Sequence, residues 1–290
     1  LIWREYPKEL DFEARGLSVE EIKSLLSPHF KCNEVGKAFG VLKIKGQPIE
    51  IALPRTEIKT GSGHKGFSID VDPNLPFEEA VLRRDFTINA LGLNPLTDEL
   101  FDPCRGRQDI ADRILSHVGP AFKEDPLRVL RGMQFIARFQ LTPKPSTIDI
   151  CQSMDMENLA PERIYEEWKK LILKGVNLTE GLNFLQDTGW VKYFPELLAL
   201  IGCDQEPEWH PEGDVWVHTL HCMDAFAQER VGDDWEDLVV GLAVLCHDLG
   251  KPLTTKIGKD GRIRSPMHEA KGEEPTRSFL SRLTTQVDLH

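Results

Sequence analysis

Nine residues, Arg83-Arg84-Asp85-Phe86-Thr87-Ile88-Asn89-Ala90-Leu91, constrain this chain more than any other stretch. Three charges run straight into alternating polar and apolar residues, with Thr87 and Asn89 interleaving Phe86, Ile88 and Leu91. A buried element tolerates Arg-Arg-Asp only when the charges are paired or face a charged ligand. Taken alone, the nine residues also fit a solvated element end followed by a half-buried strand or helix. Three other segments keep them company: Lys8-Glu9-Leu10-Asp11-Phe12-Glu13, Ile49-Glu50-Ile51, and Glu124-Asp125-Pro126-Leu127-Arg128-Val129-Leu130-Arg131.

Residues 8–15 read as a strand. Leu10, Phe12 and Ala14 point one way, so Glu9, Asp11 and Glu13 share the other face. Carboxylates stacked on one face repel, and a cation between them relieves the repulsion. Ser18 with Glu21 three residues on is a capping box that opens a helix. Segments 39–44 and 48–53 form a hairpin around Lys45-Gly46-Gln47, and Glu50 faces away from Ile49 and Ile51. The loop at 59–67 carries three glycines, two lysines and His64, without P-loop spacing. From about residue 107 the pattern is helical: one helix starts at Asp125-Pro126, with Leu127, Leu130, Phe135 and Phe139 as its apolar side. A second helix covers 157–175, and a third helical region covers 179–201.

Composition bounds the reading. At 290 residues, 40% hydrophobic and 28% charged, the chain is of ordinary globular make-up and long enough for two or three lobes. No run of about 18 apolar residues appears, so no membrane span is expected, and no signal peptide is visible. Six cysteines (32, 104, 151, 203, 222 and 246) include no CxxC pair, which argues against disulfide frameworks and cysteine zinc sites and fits a reducing cytoplasm. A net charge of −12 weighs against nucleic acid as a partner. Local basic stretches offset it: Lys123, Arg128, Arg131, Arg138 and Lys144, then Arg163, Lys169, Lys170 and Lys174.

Around Cys203–Pro207 the chain turns acidic. Beyond lie His210, His218, His221, the run Leu242-Ala243-Val244-Leu245-Cys246-His247-Asp248-Leu249-Gly250-Lys251, and His268. An adjacent His-Asp dyad late in an apolar helix resembles the HD superfamily of metal-dependent phosphohydrolases. In order and spacing, the acidic strand, Glu50, the 83–91 segment and Glu124–Arg131 resemble class II tRNA nucleotidyltransferases (CCA-adding enzymes) and bacterial poly(A) polymerases.

That resemblance implies an α+β fold: a polymerase beta-like mixed-sheet head at 1–106, an all-α RNA-binding neck and body at 107–203, and an all-α HD domain at 204–290. It implies template-independent addition of CMP and AMP, from CTP and ATP, to the 3′ end of tRNA. Magnesium would be held by Glu9 and Asp11, with Glu50 as third catalytic carboxylate. Arg83, Arg84, Asp85, Asn89, Asp125, Arg128 and Arg131 would bind the nucleotide, and Arg163 would be structural. Asp125 and Arg128 lie three apart on one helix face. Cytosine and adenine both set an amine donor beside a ring-nitrogen acceptor, so an Asp–Arg pair accepts C and A and rejects U and G. The resemblance also implies a divalent metal at His218, His247 and Asp248, with His268 as a further member. The chain departs from the family at Glu9, where aspartate is expected, and Trp3 stands where a glycine-rich triphosphate segment is expected. The head is therefore expected to be incomplete at its start and the HD lobe at its end, with Asp288 a weak stand-in for a later aspartate. Poly(A) addition, or an HD phosphohydrolase with an inactive head, are the alternatives.

Overall fold

The computed structural model describes residues 9–35, 41–59, 67–157, 159–286 and 289. Trp3, the loop 60–66 with His64, and Asp288 lie outside the described residues. The chain divides into two compact units: Leu1–Asp112 with Ser116–Glu124, and Arg113–Leu115 with Asp125–His290.

The first unit is built on a four-stranded mixed sheet in the order β1-β4-β3-β2, from β1 (Leu10–Glu13), β2 (Cys32–Val35), β3 (Val41–Ile44) and β4 (Ile49–Ala52). The turn at 45–47 joins β3 to β4 antiparallel, whereas β1 adds to β4 in parallel. Helix α1 (Val19–Leu26) makes that parallel addition possible by crossing one face. Its capping box forms: the Ser18 hydroxyl accepts the Glu21 N–H at 3.3 Å, and the Glu21 carboxylate accepts the Ser18 N–H at 2.8 Å. Ile22 of α1 packs on Leu42 and Leu53, with Ile51, Leu17 and Val71 around them. Leu10 and Phe12 stay 40% and 39% exposed, so β1 is an edge strand that the small core covers only in part. A separate ribbon pairs β5 (Arg55–Lys59) with β6 (Phe67–Val71). The short α2 (Phe77–Ala80) then leads into the arginine-rich segment, and α3 (Gly106–Asp112) follows it.

The second unit is helical: α4 (Leu127–Phe139), α5 (Pro145–Gln152), α6 (Pro161–Lys174), α7 (Leu178–Asp187), α8 (Pro195–Leu198), α9 (Val215–Gln228), α10 (Asp234–Cys246), α11 (Lys251–Thr254), α12 (His268–Lys271) and α13 (Glu273–Leu283). Helix α4 packs against both α6 and α7. Its buried side is Val129, Leu130, Met133, Ile136 and Ala137. Phe135 and Phe139, expected on that side, lie instead on a half-buried flank and stack at 5.8 Å, with Arg131 and Arg138 over their rings. The arginine stems and guanidinium faces cover the aromatics there, as helix packing does elsewhere. Trp168 of α6 is the aromatic centre, edge-on to Phe194 at 5.0 Å and to Phe279 of α13 at 5.6 Å. No described helix is long and apolar enough to cross a membrane.

Candidate functional site

Four groups of side chains are candidates for the chemistry, two in each unit.

On the sheet, register decides what the carboxylates can do. Asp11 pairs directly with Glu50 across the β1–β4 ladder, and Glu50 pairs with Lys43 across β3–β4. Directly paired residues share a face, so Glu9, Asp11, Glu50 and Lys43 form one charged surface. The Lys43 ammonium is ion-paired with Glu50. Glu50 above all, then Glu9 and Asp11, raises the lysine's pKa above its usual value. Among the described residues Glu9 and Asp11 make no ion pair, and both are exposed. Glu13, on the same alternation, is bound by Arg15 at 2.6 Å and drops out of the cluster. Oxygen donors of this kind suit a hard cation such as magnesium, which keeps several waters and needs few carboxylates.

The 83–91 segment is a tight, internally bonded turn. Asp85 is buried; its Oδ1 accepts the Phe86 N–H at 2.8 Å and the Asn89 amide at 3.1 Å. Arg84 donates to the Asn89 carbonyl at 3.3 Å. Extended pairing with 116–118, through Thr87 N–H to the Ser116 carbonyl and Val118 N–H to the Asp85 carbonyl, fixes the base of the turn. The Thr87 hydroxyl donates to Asp109 at 2.5 Å. Gly106 lets α3 approach this closely, since a Cβ there would stand 2.0 Å from the Thr87 carbonyl oxygen. Arg83 and Arg84 are half-buried at the rim. Asp85 and Asn89 thus hold the loop on which the two arginines ride.

At the start of α4, Asp125 uses both oxygens. Oδ1 accepts the Leu127 N–H at 3.1 Å, and Oδ2 accepts from Arg163 of α6 at 2.8 Å. Asp125, Arg128 and Arg131 are all half-buried. The helix therefore opens one residue later than expected, with Pro126 at the N-cap position, and the Asp125 side chain just before it takes the first helical N–H. The ion pair that holds Asp125 comes from a helix 38 residues away. No local signal in the sequence marks that contact.

The histidines of the C-terminal region meet around Asp248, which is 2% exposed. His247 Nε2 lies 3.1 Å from its Oδ2, His218 Nε2 3.8 Å from Oδ2, and His268 Nε2 3.5 Å from Oδ1. Lys251 Nζ is 2.8 Å from Oδ2 and donates to the side-chain amide oxygen, Oε1, of Gln205 at 2.7 Å. Burial raises the Asp248 pKa, but the adjacent His247 and Lys251 outweigh it and bring it down to about 2. Burial lowers His218, and the Asp248 carboxylate raises His247. Oδ2 is buried, and none of these neighbours is aligned for a hydrogen bond to it. Three imidazoles converging on a buried carboxylate form a nitrogen and oxygen donor set that fits a divalent metal ion, with Lys251 as the carboxylate's present counter-charge. Glu212, which the sequence did not single out, accepts from His218 Nδ1 at 2.8 Å and His210 Nδ1 at 3.0 Å. That contact turns His218 Nε2 toward Asp248, the usual way an outer carboxylate orients a ligating histidine. Beside this cluster lies a cleft of about 230 Å³ lined by Trp209, His210, Lys251, Arg264 and His268.

Residues 1–116 match the poly A polymerase head domain family. The chain is 40% identical over 262 residues to the multifunctional CCA protein of Xanthomonas campestris pv. campestris, covering 88% of this chain and 62% of the relative. It is 41% identical over 257 residues to that of Stenotrophomonas maltophilia, covering 86% and 61%. The chain thus spans about three fifths of the length of these relatives. Among solved structures, a CCA-adding enzyme in complex with CTP superposes with a TM-score of 0.57 at 17% identity, over 98% of this chain and 60% of that one, which concerns the fold. Residues 1–116 are thus similar to the poly A polymerase head domain, and most of the chain is similar in sequence to proteins called multifunctional CCA protein and in fold to a CCA-adding enzyme.

Proposed function

We propose that this protein adds CMP and AMP, from CTP and ATP, to the 3′ end of tRNA without a nucleic-acid template. The observation that carries the reading is 40% identity over 262 residues to proteins named for CCA chemistry. The geometry supports it. In the reaction the RNA 3′-oxygen bonds to the α-phosphorus of the triphosphate, pyrophosphate leaves, and the hydroxyl proton is lost. Magnesium, when bound, neutralises the triphosphate and favours the ionised 3′-hydroxyl. Asp11 and Glu9 would hold it, with Glu50 as the third carboxylate, while Lys43 tempers the repulsion on that face. Arg83 and Arg84, on a turn that Asp85 and Asn89 hold in place, present positive charge for sugar and phosphate. Asp125 and Arg128 read the base edge, with Arg131 beside them. A carboxylate offers about four acceptor positions. Asp125 uses two of them, on Leu127 and Arg163, and so retains acceptors for a cytosine or adenine amine.

The test is incubation with tRNA lacking its 3′ end and each labelled nucleoside triphosphate. Incorporation of CMP and then AMP supports the reading. Long AMP runs without CMP would make it a poly(A) polymerase, and no incorporation would leave an inactive head.

A second activity, metal-dependent hydrolysis of phosphate esters, is favoured by the convergence of His218, His247 and His268 on Asp248. A divalent ion held there would polarise the phosphoryl group and supply a nucleophilic water. Lys251 and Arg264 add positive charge to the neighbouring cleft. Metal analysis should find an ion that is lost in His247→Ala. Absence of both metal and phosphatase activity would make the cluster a structural remnant.

A further inference from the structure

We propose that Cys222 is a metal ligand in the histidine cluster and that its thiolate selects a zinc-class transition metal over magnesium. The inference rests on the reading of His218, His247 and Asp248 as a metal site and goes beyond it to the identity of the ion.

Cys222 follows His218 by one helical turn of α9, so the two side chains share a face. Its Sγ lies 3.4 Å from His218 Nε2, the nitrogen that Glu212 turns inward. Ligand atoms of His218, Cys222 and His247 all lie within 4.8 Å of one another. A second, independent feature points into the same space: Asp248 is 2% exposed, and its Oδ2 lies 3.8 Å from His218 Nε2 and 3.1 Å from His247 Nε2, with the Lys251 ammonium at 2.8 Å but no aligned hydrogen bond. The set is therefore two imidazoles, one sulfur and one carboxylate. Hard magnesium prefers octahedral oxygen and water, whereas sulfur with imidazole favours zinc, iron(II) or cobalt(II). Binding breaks the Cys222 S–H bond, forms a metal–sulfur bond and releases the proton to solvent. The absence of a CxxC pair does not bear on such a site, because its single sulfur is joined by nitrogen and oxygen donors from two places in the chain, α9 and the end of α10.

Cobalt(II) is the probe, added to the whole chain under a non-coordinating reductant, with Cys222→Ser, Cys222→Val and His247→Ala alongside. The wild type should show a near-ultraviolet sulfur-to-cobalt charge-transfer band, and both Cys222 variants should lack it while still binding cobalt. Zinc affinity in the Cys222 variants should fall by at least the roughly 10–100-fold seen on losing even an outer partner of a ligand. Magnesium affinity should not change. Cobalt binding without that band, or a band that survives in both Cys222 variants, overturns the assignment and leaves the histidine site standing. Failure of the wild type to bind cobalt overturns both. Circular dichroism keeps loss of fold apart from loss of ligand, and the valine variant serves if the serine unfolds.

Discussion

Removing Arg163 tests the base-reading geometry more sharply than removing Asp125 itself. Arg163 Nη2 lies 2.8 Å from Asp125 Oδ2, and each side chain is 30% exposed. A hydrogen bond to a charged group contributes about 1.5–3 kcal/mol when well buried, and exposed pairs contribute about 0.2–1 kcal/mol. At this partial exposure Arg163→Ala should cost about 1 kcal/mol of stability. Asp125 keeps its bond to the Leu127 N–H through Oδ1, so the helix start survives. What is lost is the second anchor on the carboxylate. A misplacement of about 1 Å in a positioned group can cost roughly a hundredfold in rate. Single-turnover incorporation of CMP and AMP should therefore fall together, by about 10- to 100-fold, and Arg163→Lys should recover part of it, since the contact is a single hydrogen bond. The assay uses tRNA lacking its 3′ end with all four triphosphates, beside urea denaturation of each variant. An Arg163→Ala protein about 1 kcal/mol less stable, with unaltered rates and discrimination, would reduce the pair to a structural tie between α4 and α6.

Four further outcomes are expected. Asp11→Ala should abolish transfer at any magnesium concentration, while Glu9→Asp should leave it unchanged or raise it; full transfer by Asp11→Ala sinks the metal assignment. Asp125→Ala should weaken C and A incorporation and relax rejection of U and G, whereas a pure cap predicts intact discrimination and a loss of about 1 kcal/mol. Gly181→Ala should lower stability by about 1–3 kcal/mol despite alanine's better helix propensity, because the new Cβ would stand 2.7 Å from the Met133 carbonyl oxygen of α4; a higher urea midpoint would refute that packing. Burial pushes the Cys151 thiol from 9.0 to about 12. The unfolded chain therefore ionises first, and stability should fall as pH rises through that window, less steeply in Cys151→Ala; equal slopes would place Cys151 in contact with water.

Much of the molecule could be read from short stretches because short-range physics decides it. The Ser18–Glu21 capping box and the 45–47 turn depend on residues within a few positions, and they form as their sequences imply. The alternation of Glu9 and Asp11 along one strand is equally local. Cross-strand register is not: that Asp11 stands beside Glu50, and that Lys43 takes hold of Glu50, follows from how three strands are laid together. The phase of α4 is likewise tertiary. Phe135 and Phe139 are as apolar as Leu130 and Met133, yet α7 reaches the second pair because Gly181 admits close approach there. Arg163 meets Asp125, and Glu212 meets His218, across separations that no local propensity encodes. Sequence by itself determined which donors the protein carries and how its caps and turns are made. Which donors share one small volume was decided only by packing, because burying the apolar faces of α6, α7, α9 and α10 together sets where the polar residues riding on them come to rest.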